Sequence, residues 1–99
     1  MISVGRLKAF WESHRKAETP LRAWYQVARQ ATWHSLEDVR RTYPSADLVE
    51  RFTVFNIGGN DFRLITRVEY ERQEIYIRST LTHAEYDKDE WKRDPWFQR

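Results

Sequence analysis

Residues 52–82 read FTVFNIGGNDFRLITRVEYERQEIYIRSTLT, and this stretch decides the fold. Its apolar and polar side chains alternate with period two, as they do in strands that bury one face. Phe52–Ile57 is expected to be one strand, Gly58-Gly59 a two-residue hairpin turn, and Asn60–Tyr70 the return strand. A second turn at Arg72-Gln73 leads to a third strand, Glu74–Thr82. On the long strand, Phe62, Leu64, Val68 and Tyr70 share one face, and Arg63, Ile65, Arg67 and Glu69 share the other. Uninterrupted pairing across the Arg72-Gln73 turn adds Ile75, Ile77 and Leu81 to the apolar face. It adds Tyr76, Arg78, Thr80 and Thr82 to the face of the arginines.

Upstream of this stretch the period lengthens. Leu7, Phe10, Trp11 and His14 recur at helical spacing, which predicts a helix near residues 6–16. Thr19 and Pro20 suit an N-cap and a first helical position. They open a second helix that runs to about Thr32 and buries Leu21, Trp24, Tyr25, Ala28 and Ala31. Ser35–Val39 reads as a capped short helix ending before Pro44. Ile2–Val4 is expected as a short strand, Ala84–Lys92 as a last polar helix and Pro95–Arg99 as a tail. The expectation is therefore one α+β domain spanning residues 1–99. Two N-terminal helices pack on one face of a small, mainly antiparallel sheet, and a short helix follows it. The opposite face should be an open surface carrying Arg63, Arg67 and Arg78.

Composition agrees with a modest single core: 40% of the 99 residues are hydrophobic and 15% aromatic. There is no cysteine, so disulfides and thiolate metal sites are excluded. No signal-peptide block opens the chain and no run approaches the ~20 apolar residues of a membrane helix, so a soluble, cytoplasmic protein is expected, without membrane contact. The net charge is only +2, but residues 1–31 carry Arg6, Lys8, Arg15, Lys16, Arg22 and Arg29 against Glu12 and Glu18. Such a face suits a polyanion; it equally suits plain solvation.

Familiar catalytic signatures are missing. His14, His34 and His83 have no metal-ligand spacing, and neither a P-loop nor a nucleophile elbow is present. Neither a metal nor a cofactor is expected. What remains is cationic and aromatic. Arg63, Arg67 and Arg78 beside Tyr76 can hold phosphates and stack bases, or can pair with Glu50 or Glu69 on a solvated sheet. The segment Thr82–Lys88 crowds His83, Glu85, Tyr86, Asp87 and Lys88 after a strand. A helix cap explains part of it but not the clustering of His83, Tyr86 and Lys88, so this segment is the best active-site candidate.

Several blocks resemble one family. Leu7-x-x-Phe10-Trp11-x-x-His14, Pro20-Leu21-x-x-Trp24-Tyr25, Trp33 with Asp38-Val39, and Pro44–Asp47 are similar in order and spacing to HigB-type toxins. Val54–Leu64 and Thr82–Lys88 carry the likeness most strongly. It covers about residues 7–88. The family usually has proline at the place of Arg15 and a basic residue at that of Gly59 or Asp61, so this hairpin tip is less basic. The Trp91–Arg99 tail matches no motif. The resemblance implies a RelE-like fold and an mRNA endonuclease that works on the ribosome. It also implies a helix-turn-helix antitoxin as partner, with operator DNA bound only through that complex.

Under that reading, cleavage through the RNA 2′-hydroxyl needs a proton-transfer group and cations at the phosphate. His83 is first choice for proton transfer, because imidazole titrates nearest neutral pH; Tyr86 and Lys88 are the alternates. Arg63 and Arg78 would neutralise the scissile phosphate, Arg67 and Tyr76 would bind the RNA, and Asp87 would orient a cation or His83. Two rivals stand beside this reading: a non-catalytic RNA- or ribosome-binding module, and a structural partner of a regulator.

Overall fold

A computed structural model describes residues 4–97. Helices come first: α1 (Gly5–Ser13), α2 (Glu18–Gln30) and α3 (Leu36–Thr42). The strands follow as β1 (Asp47–Val49), β2 (Phe52–Ile57), β3 (Phe62–Glu69) and β4 (Glu74–Thr82), and α4 (His83–Asp87) follows β4 directly. They form one sheet in the order β1-β2-β3-β4, antiparallel throughout. The α+β class and the bounds of β2 and β4 are as the alternation predicts. Strand β1 was not foreseen, because three residues are too few to display a period.

Local departures have local causes. The first helix stops at Ser13, and a 3₁₀ turn at Arg15–Ala17 leads straight into α2. Helix α2 therefore opens at Glu18 rather than being capped by Thr19. Pro20 still lies in its first turn, where a missing N–H breaks no intrahelical bond. Ser35 caps α3 as expected, accepting from the Asp38 amide at 3.3 Å. Both hairpin loops have four residues, 58–61 and 70–73, in place of two-residue turns. Gly58 and Gly59 have φ of 64° and 68°, a region that only glycine enters freely. The expected last helix ends at Asp87, and Asp89, in left-handed conformation, separates it from a 3₁₀ turn at Glu90–Arg93. Of the strand expected at 2–4, only Val4 is among the described residues, and it precedes α1.

Helices α1 and α2 cover one face of the sheet. Leu7, Trp11, Leu21, Trp24, Phe55 and Leu64 form the centre of that core. Phe55 is fully buried and meets the rings of Trp24, Trp33 and Tyr43 at 5.3, 6.1 and 5.4 Å. Replacing it with alanine removes the hub of this aromatic group, and Phe55→Ala should cost about 3–5 kcal/mol. For a domain of this size that lowers Tm by roughly 15–30 °C. Urea unfolding measures it directly, and a loss below about 1 kcal/mol would contradict the packing described.

The opposite face is not open. Ile65 pairs with Ser79 but Thr66 pairs with Ile77, which leaves Arg78 as the extra residue of a β-bulge. One extra residue inverts the alternation beyond it. Leu81 therefore leaves the helix-covered face, where uninterrupted pairing would put it, and lies with Arg63. Thr80 and Thr82 go the other way, opposite Leu64 and Phe62. With Leu81 moved, the far face carries Phe52, Val54, Ile65 and Leu81, enough for a second small core. The C-terminal segment closes it with Trp91, Trp96 and Phe97. The tail that matched no motif is thus part of the fold.

Candidate active site

The segment after β4 is built by its cap. Thr82 Oγ1 accepts from the Glu85 amide at 3.2 Å, and Glu85 Oε1 accepts from the Thr82 amide at 2.9 Å. These two residues are consumed by the capping box. The His83 amide donates to Asp61 O at 3.0 Å, which ties the start of α4 to the β2–β3 loop. That loop, the start of β3 and α4 converge on one side chain, Arg63.

Arg63 is 8% exposed. Its Nη1 donates to Asn60 O and Phe62 O, both at 3.1 Å, and its Nη2 to Asn60 Oδ1 at 3.3 Å. The guanidinium lies 5.5 Å from the ring centroid of Tyr86. Every one of these partners is neutral. Among the described residues no carboxylate comes within 4.0 Å of Arg63. A buried cation without a counter-ion is costly and favours an anion at its open side.

Tyr86 is held between that cation and the tail. Its ring stacks on Trp91 at 5.1 Å, and Trp91 Nε1 donates to Tyr86 O at 3.0 Å. Burial pushes the Tyr86 phenol up, aided by the charge of Asp47 and opposed by Arg63. His83 Nε2 and Asp87 Oδ2 are 3.8 Å apart and both are exposed, a distance that orients the imidazole only loosely. Lys88 is the exposed C-cap of α4. The expected residues Arg63, His83, Tyr86, Asp87 and Lys88 therefore share one end of the sheet.

Arg67, Tyr76 and Arg78 lie elsewhere. Arg67 pairs with Glu69 at 3.0 Å, the solvated-sheet alternative weighed from the sequence. Tyr76 donates its phenol proton to Glu74 Oε1 at 3.0 Å, and that bond raises its pKa first, with burial adding. Arg78, at the bulge, makes a two-pronged bond to Asp94, Nε to Oδ2 and Nη2 to Oδ1, both at 2.8 Å. The ring of Trp96 lies 3.8 Å from the same guanidinium. Arg78 holds the tail to the sheet.

The bond to Arg78 keeps the Asp94 carboxyl below the usual range; burial opposes it and the Trp96 amide assists. A depressed value in the folded state stabilises above the unfolded pKa, near 3.9, and that stability is lost as pH falls through the folded value. Asp94→Asn should therefore lower the urea midpoint at pH 7 and flatten the acid limb below about pH 4. Equal midpoints for both proteins at pH 7 would show that the pair contributes nothing.

Asn60, Asp61 and Trp91 were not singled out from the sequence. Asn60 and Asp61 were expected at the start of the return strand, which instead begins at Phe62, and the five-residue step from Tyr86 to Trp91 fits no regular period.

The family profile described as HigB toxin, the RelE-like toxic component of a toxin–antitoxin system, matches residues 17–89. The chain belongs to the HigB toxin family. Among HigB relatives, the mRNA interferase toxin HigB of Escherichia coli K12 is 32% identical over 90 residues, covering 88% of this chain and 86% of that protein. The mRNA interferase HigB of Shigella flexneri shows the same identity and coverage. That of Escherichia coli O6:H1 is 27% identical over 71 residues, 69% of each chain. The HigB match ends at residue 89, so the tail carrying Trp91, Asp94, Trp96 and Phe97 lies beyond it. Among the described residues no helix is long and apolar enough to cross a membrane.

Proposed function

We propose that this chain is an mRNA endoribonuclease, the toxin of a type II toxin–antitoxin pair, acting as a single RelE-like domain on messages engaged by the ribosome. The observation that carries the reading is Arg63, a buried cation held by neutral partners against Tyr86, with the His83 amide tied to the same β2–β3 loop. Its uncompensated charge suits the scissile phosphate and gains most where negative charge grows in the transition state. Support for RNA as substrate comes from the relatives named as mRNA interferases.

The 2′-hydroxyl attacks the adjacent phosphorus, the bond to the 5′-oxygen breaks, and a 2′,3′-cyclic phosphate and a 5′-hydroxyl result. His83 takes the proton of the 2′-hydroxyl and passes it on to the leaving 5′-oxygen, which departs as the 5′-hydroxyl. Tyr86, its phenol kept protonated by burial, donates a hydrogen bond to a phosphate oxygen. Lys88 adds a second cation at the rim and Asp87 orients His83. Arg78, already paired, acts by holding the tail rather than by meeting the phosphate.

A chain this small has little surface with which to wrap free RNA, whereas a decoding site holds the message in place. The purified protein should cut ribosome-engaged mRNA far faster than naked RNA, as mapped in a purified translation system. Equal rates on both substrates would remove the ribosome requirement and leave the nuclease. A helix-turn-helix antitoxin of the HigA kind completes the pair and brings operator DNA to the complex. Its coexpression should relieve growth arrest.

A further inference from the structure

Between the tail and the β3–β4 hairpin lies an open groove of about 810 Å³, a size typical of small-ligand sites. His34, Arg67, Arg72, Tyr76 and Trp96 are among its walls. Of the lining residues only Trp96 lies beyond residue 89, where the family match ends. We infer that this groove is a second RNA contact, taking one single-stranded nucleotide that flanks the cut, with its base against Trp96; the inference rests on the endoribonuclease reading above.

The geometry of Trp96 supports it. Asp94 Oδ1 accepts both from Arg78 Nη2 at 2.8 Å and from the Trp96 amide at 2.9 Å. One carboxylate thus fixes the tryptophan backbone and the cation beneath its ring. Tyr76 meets the same indole edge to face at 5.5 Å. A ring so held loses little freedom when a base stacks on it. The charges lining the groove are mixed. Glu69 answers Arg67, while Arg72 meets no carboxylate within 4.0 Å among the described residues. Such a groove binds by stacking, with one phosphate near Arg72, and is tolerant of base identity.

Its position suits a continuous strand. Arg67 lies on the face of Arg63, four residues along β3, or about 13 Å of strand. That span equals about four stacked nucleotides, at 3.4 Å each, and fewer when they are splayed. A message anchored at Arg63 therefore reaches Arg67 and the groove that it lines, which favours RNA over a peptide.

The test uses the full chain and ribosome-engaged messages with 5-bromouridine placed singly at each of about the first four positions on either side of the cut. A flanking position should photocrosslink to Trp96 or Tyr76, located by mass spectrometry. Trp96→Ala should raise the half-saturating message concentration about 5- to 100-fold and leave the single-turnover rate at saturation within about twofold. Trp96→Phe should restore most of the affinity. Absence of any crosslink to these residues, or wild-type half-saturation in Trp96→Ala, overturns the groove while cutting by the wild type keeps the nuclease. The crosslink in the wild type decides the matter even if Trp96→Ala loosens the tail. A Trp96→Ala protein that cuts normally but no longer copurifies with the antitoxin assigns the groove to the protein partner and overturns the RNA assignment. No cutting by the wild type overturns both readings.

Discussion

His83→Gln slows single-turnover cleavage of a ribosome-engaged message by about 10²–10⁴-fold, the usual contribution of a positioned proton-transfer group. Glutamine keeps the polar bulk and cannot carry the proton. Because His83 is exposed and, among the described residues, its only side-chain partner is Asp87 at 3.8 Å, the variant should unfold at the wild-type temperature. Loss of rate without loss of stability is the signature of a chemical role. A message with a single 2′-deoxynucleotide at the cut serves as companion, since it lacks the attacking oxygen and should survive intact. Efficient cutting at that position would sink the 2′-hydroxyl route. A near-wild-type rate for His83→Gln on the ordinary message would instead move proton transfer to Tyr86 or Lys88.

Arg63→Ala slows the same step by about 10²–10³-fold, the range seen when one donor to a developing oxyanion is removed. Here stability changes too. Arg63 spans the β2–β3 loop through Asn60 and Phe62 and lies against Tyr86, so its truncation loosens the loop and α4 together. Arg63→Lys separates the two effects. Lysine keeps the charge but cannot reproduce the planar fork, so it should recover part of the rate and little of the loop order. Saturating message concentrations exclude weaker docking as the cause. If Arg63→Ala cuts at the wild-type rate, the buried cation serves only the loop, and the function proposed for this site loses its main support.

Much of the architecture was legible because it depends on short-range rules. The strand pattern and the turn residues beside it placed β2 at 52–57 and β4 at roughly 74–82, and Ser35 marked the start of α3. The grouping of His83, Tyr86, Asp87 and Lys88 is likewise a matter of sequence adjacency on one short helix. Arg63 was legible as a face but not as a buried cation, since burial depends on the loop and tail that enclose it.

The sequence by itself determined the order of helices then strands, the α+β class, the family and the residues crowded after β4, because periodicity, caps and motifs act over a few positions. Only the tertiary structure decided what the far face of the sheet is for. One residue of bulge at Arg78 moved Leu81 across the sheet, and that shift, with Ile65 and Phe52, made a surface that the tail must cover. No local pattern encodes a bulge here, because alternation is judged along one strand and the register is set by its partner. The pairing of Asp94 with Arg78, sixteen residues apart in sequence, then converts a cation that looked free into the anchor of the tail.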